Sequence, residues 1–291
     1  MKKLLSTLLA LAILLCGCTA PAEHSDIAAT TLPVWEFTTR LCEDTDLTVT
    51  RLVTESVSCL HDYSLNVRQV KAVEESDLVV ISGAGLEEFM HDLLHDKDVI
   101  DASSGIEILE CSEHHDHGHD HEGHHHETDS HIWLSPENAA MMAQNICSGL
   151  CSRYPVHADI FQANLTCLLD EIEALQAYGS DSLSELSSRE IITFHDGFGY
   201  LAESFDLHIL KAIEEESGAE ASAAELKEMI LMVEEHQIRA IFTELNGSVS
   251  AADIISAETG ANCRQLDMAM AGESWFEAMY HNIDTLKEAL E

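Results

Sequence analysis

Eighteen histidines are spread through 291 residues, and eight of them crowd into one stretch, HHDHGHDHEGHHHE at 114 to 127: His114, His115, His117, His119, His121, His124, His125 and His126. Three others sit where one structured element should give way to the next: His61 in CLHDYSL, His131 in DSHIWLSPENA and His195 in ITFHDGFGY. His61 and His195 follow β-like runs in opposite halves of the chain, and Asp267 ends a third such run, CRQLD. Ligands of open α/β sheets bind outside the carboxyl ends of the strands, so residues placed this way can converge on a cleft. Three neutral imidazoles and one carboxylate suit a divalent transition metal. Imidazole favours Zn²⁺, while the carboxylate keeps Mn²⁺ in play.

The histidine stretch has no apolar periodicity and nothing to pack, so it reads as a mobile excursion. Ordering it would cost about 1–2 kcal/mol per residue in backbone entropy, which argues against a rigid high-affinity site there. Its interchangeable imidazoles can still raise the local concentration of ligand, as an accessory metal collector. His91 and His95, four apart on a helical pattern, could pair on a metal but read better as a solvated face, as do His236 and His281.

The elements that must position these residues alternate. Short β-branched runs at 26–30, 46–53, 77–82 and 99–103 are separated by helical patterns, and a second series has runs at 189–194, 207–213, 240–245 and 263–267. Such runs fit parallel strands covered on both faces, and the alternation predicts an α/β fold. Between the two series lie a helix opened by Ser135-Pro136 and a longer pattern without internal Gly or Pro. The expected architecture is two α/β sandwich lobes joined by one long rigid helix, with the site between them. The expected bounds are 18–155 for the first lobe (including a mobile loop at 113–129), 156–185 for the linking helix and 186–291 for the second lobe.

At the N-terminus, MKK followed by LLSTLLALAILL is too short to span a bilayer and fits an export leader over 1–17. Leu15-Cys16-Gly17-Cys18 resembles a lipobox, with Cys18 as the lipid-modified residue. Of nine cysteines, seven then remain, an odd number with no CxxC pair among them, which gives no support to a thiolate zinc knuckle. Cys147, Cys151 and Cys167 lie in helical patterns and read as small buried apolar side chains. Fourteen basic residues against 53 acidic ones give a formal charge of −39, which would repel nucleic acid.

Four stretches, CLHDYSL…VKAVEESDLVVISGAGLEEFM, HIWLSPENAAMMAQNI, ITFHDGFGYLAESFDL and SAETGANCRQLD, occur in this order over most of the chain. With the lipobox and the histidine-rich loop, they resemble the ZnuA-like zinc/manganese-binding lipoproteins of bacterial ABC importers. The resemblance implies two α/β lobes bridged by a long helix, with metal held by His61, His131, His195 and Asp267. Departures are Cys59-Leu60 for an Asp-Pro, Ser130 for a Pro, and MAMAG after Asp267 for a Pro-Leu-Gly. Glu244, in IFTEL where relatives often carry Glu-Pro, follows a strand and is either a carboxylate that orients a ligand or a substitute ligand. Manganese carriers of this group tend to place Glu where His195 stands, which favours zinc.

The expected function is a non-catalytic receptor, monomeric and lipid-anchored at the outer face of the bacterial cytoplasmic membrane. It would capture Zn²⁺ and deliver it to a cognate ABC permease. Affinity should fall with falling pH, because ligands bind deprotonated. The alternatives are an Mn²⁺ carrier of the same family, a zinc hydrolase with Glu244 as general base, and a metal buffer working through the loop alone. The hydrolase lacks an H-E-x-x-H pattern, and adhesion to a cell surface is an additional role that the sequence leaves open without a motif of its own.

Overall fold

The computed structural model describes residues 25–55, 60, 63–110, 128–212, 222–245 and 247–291. The leader with Cys18, His61 and the histidine stretch lie outside the described residues. The β-branched runs form two four-stranded sheets. In the first, β1 (Ile27–Ala29), β2 (Val49–Arg51), β3 (Leu78–Ile81) and β4 (Val99–Asp101) take the order β2-β1-β3-β4, with every pairing parallel. The second repeats that order with β5 (Glu190–Thr193), β6 (His208–Ala212), β7 (Ala240–Glu244) and β8 (Asn262–Leu266), as β6-β5-β7-β8. Parallel neighbours require crossovers, and the helical patterns supply them.

In the first lobe these helices are α1 (Leu32–Leu41), α2 (Val67–Glu75) and the short α3 (His91–Leu94). Asn66 opens α2 with a capping box, its side chain accepting from Arg68 N and Gln69 N. The run LEEFMHDLLHD is less regular than its pattern suggests: a 3₁₀ turn (Leu86–Met90) precedes α3. His91 and His95 are exposed there beside Asp92 and Asp96, a solvated face.

Helix α4 (Pro136–Arg153) starts where the Ser135 hydroxyl accepts from Asn138 N. Helix α5 (Ala158–Ser182) follows, 25 residues and therefore roughly 37 Å long. It buries Phe161, Leu168, Ile172, Leu175 and Gly179 along one stripe. The second lobe adds α6 (Gly199–Ser204), α7 (Ala223–His236), α8 (Ser250–Thr259) and the closing α9 (Trp275–Leu290). Among the described residues no helix is long and apolar enough to cross a membrane.

The stripe of α5 belongs to an apolar core that runs unbroken under both sheets, from Phe37 and Trp133 to Met268, Trp275, Ile283 and Leu286. The two indoles fasten the lobes: Trp133 Nε1 donates to Met268 O at 2.8 Å, and Trp275 Nε1 to Trp133 O at 3.0 Å. Phe37 packs edge-on against Trp275, and Glu36 accepts from the Ser274 hydroxyl and Trp275 N at the start of α9. Burial raises the Glu36 carboxyl, against the lowering effect of those two donors. The cysteines divide: Cys147 is buried, Cys151 is half-buried and Cys167 is exposed, contrary to its expected burial. The α5 stripe explains this, because Cys167 stands beside Leu168 but points off its face.

The first sheet's strand order reverses between β1 and β3, and the chain fills that crevice with its own carboxylate. Glu87, 5% exposed, accepts from Thr30 Oγ1 at 2.6 Å, Ser82 N at 2.7 Å and Gly83 N at 3.0 Å. Burial pushes its carboxyl from 4.5 up to about 7, the three donors opposing and Asp101 reinforcing the rise. The folded chain thus holds this proton more tightly than the unfolded one. The resulting stabilisation is complete below about pH 4.5 and is lost as pH rises through about 7, a change on the order of 3 kcal/mol. Glu87→Gln should flatten this slope. Thermal melts of the metal-free chain across the interval would show it, and an unchanged slope would count against the assignment.

Candidate metal centre

The second sheet reverses between β5 and β7, and here the crevice holds imidazole. His195 stands two residues beyond β5, and Glu244 is the last residue of β7. His195 Nδ1 lies 3.1 Å from Glu244 Oε1. His131 arrives from the first lobe, at the head of the 3₁₀ turn Ile132–Leu134 that leads into α4. Its Nδ1 lies 2.8 Å from Asp129 Oδ1, and its backbone N–H donates to that same oxygen at 2.8 Å.

Each ring is thus paired through Nδ1 with a carboxylate. An imidazole donating from Nδ1 keeps its lone pair on Nε2, the arrangement that orients histidine toward a metal. The two Nε2 atoms are 3.4 Å apart, with the rings nearly perpendicular at 88°. That is long for a hydrogen bond between ring nitrogens. It matches two ligands of one tetrahedral ion, since Zn–N bonds of ~2.0–2.1 Å place the nitrogens about 3.3–3.4 Å apart. The His131 and Asp129 side chains are each 4% exposed, while His195 is 19% exposed and is the more open to solvent.

Neighbouring residues fix this geometry. Trp133 packs edge-on against His131, with ring centroids 5.4 Å apart. Gly197 presses on both rings: a Cβ there would lie 2.6 Å from His195 Cδ2, 2.7 Å from its Nε2 and 2.8 Å from His131 Cε1. Gly199 lies against Asp129, where a Cβ would fall 3.1 Å from Oδ2. Reading the sequence for ligands missed Asp129 and Gly197. Their only signals are an Asp two residues before His131 and the two glycines of HDGFG.

Of the residues singled out in the sequence, His131, His195 and Glu244 are brought together. Asp267 lies one strand over, just past Leu266, the register partner of Glu244. Its Oδ1 accepts from Ala269 N at 2.8 Å, and its backbone is tied to the Asn282 amide by bonds of 2.7 Å in each direction. The MAMAG segment behind it is tucked inward, with Met268, Ala269 and Met270 all buried. Among the described residues no three or more His, Cys, Asp or Glu side chains form a metal cage. His61 and the eight loop histidines fall outside those residues.

Comparison with known proteins bears on the fold and the family. The zinc-binding lipoprotein AdcA of Streptococcus pneumoniae (strain ATCC BAA-334 / TIGR4) is 29% identical over an alignment 310 positions long, gaps included, covering all of this chain and 62% of AdcA. The chain therefore spans about three-fifths of that relative's length. A putative metal-binding protein of Treponema pallidum (strain Nichols) is 28% identical over 242 residues, 79% of this chain and 76% of its own. Among solved structures, the Zn(II)-bound ZnuA-like domain of S. pneumoniae AdcA superposes with a TM-score of 0.76 at 27% identity, covering 91% of this chain and 98% of that domain. The family model described as ZnuA, zinc-uptake complex component A, periplasmic, matches residues 27–289. Two like-ordered parallel lobes, a helix lying along both, and a match across nearly the whole described chain place this protein in the ZnuA family.

Proposed function

We propose that the protein is the extracytoplasmic receptor of an ABC importer, capturing Zn²⁺ and handing it to the membrane permease. The observation that carries this reading is the 3.4 Å approach of two Nε2 atoms whose rings are each paired with a carboxylate through Nδ1. The zinc-bound AdcA domain among its structural neighbours supports the choice of ion. So does a histidine at 195, a softer donor than a carboxylate. His61 and Asp267 complete the four ligands. The Nδ1 contact of Glu244 supports an orienting role, since Nδ1 is the ring nitrogen turned away from His131. That position also suits it poorly as the base of a hydrolase, and the receptor acts without chemical turnover. Cys18 anchors the chain at the outer face of the membrane as a monomer, and the loop histidines gather metal for the cleft.

Competitive Zn²⁺ and Mn²⁺ titration of the metal-free soluble chain, with and without residues 114–127, tests this. One tight zinc-selective site should survive the deletion. If tight binding leaves with the loop, the cleft is not the site and the chain is a metal buffer.

A further inference from the structure

Tyr200 belongs to α6 in the second lobe, five residues after His195, and is 2% exposed. Its hydroxyl reaches the first lobe. It accepts from Leu109 N at 2.9 Å and donates to the Asp129 carbonyl at 3.0 Å. Leu109 and Asp129 are themselves bonded, Asp129 N donating to Leu109 O at 2.9 Å, and one step outward Glu110 and Thr128 form an antiparallel bridge. These pairs make the neck at which the chain departs after residue 110 and returns at 128. The inner residue of that neck is Asp129, whose carboxylate holds the His131 ring and backbone N–H together. Phenylalanine would fill the same volume. What tyrosine adds is one buried group that both accepts and donates, satisfying an N–H and a carbonyl that would otherwise lose a partner.

We propose that Tyr200 is a positioning residue of the metal site, acting across the lobe boundary through Asp129 on His131. The inference rests on reading His131 as a zinc ligand. The hydroxyl sets the Asp129 backbone, the Asp129 carboxylate sets the His131 ring, and Nε2 is thereby aimed at the Nε2 of His195. Segment 195–200 contributes at each step: His195 is the facing ligand, Gly197 bears on both rings, Gly199 bears on the Asp129 carboxylate, and Tyr200 closes the neck.

The test is Tyr200→Phe in the full soluble chain, alone and combined with Asp129→Asn. Zinc affinity should fall about tenfold in the single variant, the lower end of what loss of a group supporting a metal-ligating histidine does. Because both groups act on one ring, Tyr200→Phe should weaken binding little further once Asp129 is Asn. Multiplicative losses, or an unchanged affinity with only a lowered melting temperature, would overturn the proposal. The His131 ring ¹⁵N resonances of the metal-free chain give a readout that needs neither zinc nor the Asn variant. They should move in Tyr200→Phe, and unmoved signals overturn the proposal even if wild type binds no zinc tightly. That last result in wild type would sink the receptor reading instead.

Discussion

His195→Ala is expected to lower Zn²⁺ affinity by on the order of 100- to 1,000-fold while leaving the chain folded. The magnitude follows from the ion's own energetics. Structural zinc sites are worth about 10–16 kcal/mol near neutral pH, so one of four ligands carries roughly 3–4 kcal/mol, and each 1.4 kcal/mol is about tenfold in affinity. The side chain is the more open of the two rings, so its removal leaves a small, solvent-reachable gap rather than a core cavity. It also strips Glu244 Oε1 of its imidazole partner at a place water can reach. Competition against a chromophoric chelator would measure the loss. His91→Ala, at an exposed position on α3, should leave affinity at the wild-type value and serves as the control. Equal affinities in all three proteins would remove His195 from the site.

Gly197→Ala should also weaken binding, about tenfold less than the loss of His195, although it deletes no ligand. The added methyl would stand 2.6–2.8 Å from atoms of both imidazoles, closer than carbon can approach carbon or nitrogen. Either ring can relieve the clash by turning, and turning carries Nε2 off the common point. A displacement of this kind in the support of metal-ligating histidines typically costs 10- to 100-fold in affinity, and overpacking by one carbon about 1–3 kcal/mol in stability. The diagnostic is the contrast with zinc present. Zinc should raise the melting temperature of wild type far more than that of Gly197→Ala, because stabilisation by a ligand scales with its affinity. Equal shifts would mean that the rings have room to spare.

The β-branched runs and the Ser135-Pro136 helix start were legible in the sequence, because each is written in local chemistry. Period, cap and breaker lie within a few residues of what they specify. His131 and His195 were legible as residues at element boundaries, and the family motifs named them. Their mutual spacing was not legible, because it depends on a contact between residues 64 positions apart. Asp129 illustrates the limit: an aspartate before a turn has an ordinary local explanation as a turn residue. Only the fold reveals that one oxygen serves both the backbone N–H and the ring of His131. Glu87 was hidden in the same way, since a Glu in LEEF reads as surface until Thr30 and the Ser82–Gly83 backbone close around it. Cys167 failed in the opposite direction, its helical setting giving no phase from which to read its exposure.

The unbroken core under both sheets also bears on how the molecule comes into being. Trp275 opens the last helix, and it is this residue that packs on Phe37 near the start of the described chain and bonds to Trp133 in the middle. Met279, Ile283 and Leu286 continue the same surface toward the C-terminus. A chain emerging N-terminus first would build the first sheet early, yet leave Phe37 on α1 and the Trp133 carbonyl without their indole partner until the sixteen-residue α9 arrived. Contacts spanning this much sequence close slowly, and half-finished apolar walls invite aggregation. Until α9 is in place, Phe37 and Trp133 lack the indole they pack against and bond to, so the two lobes consolidate together rather than in turn.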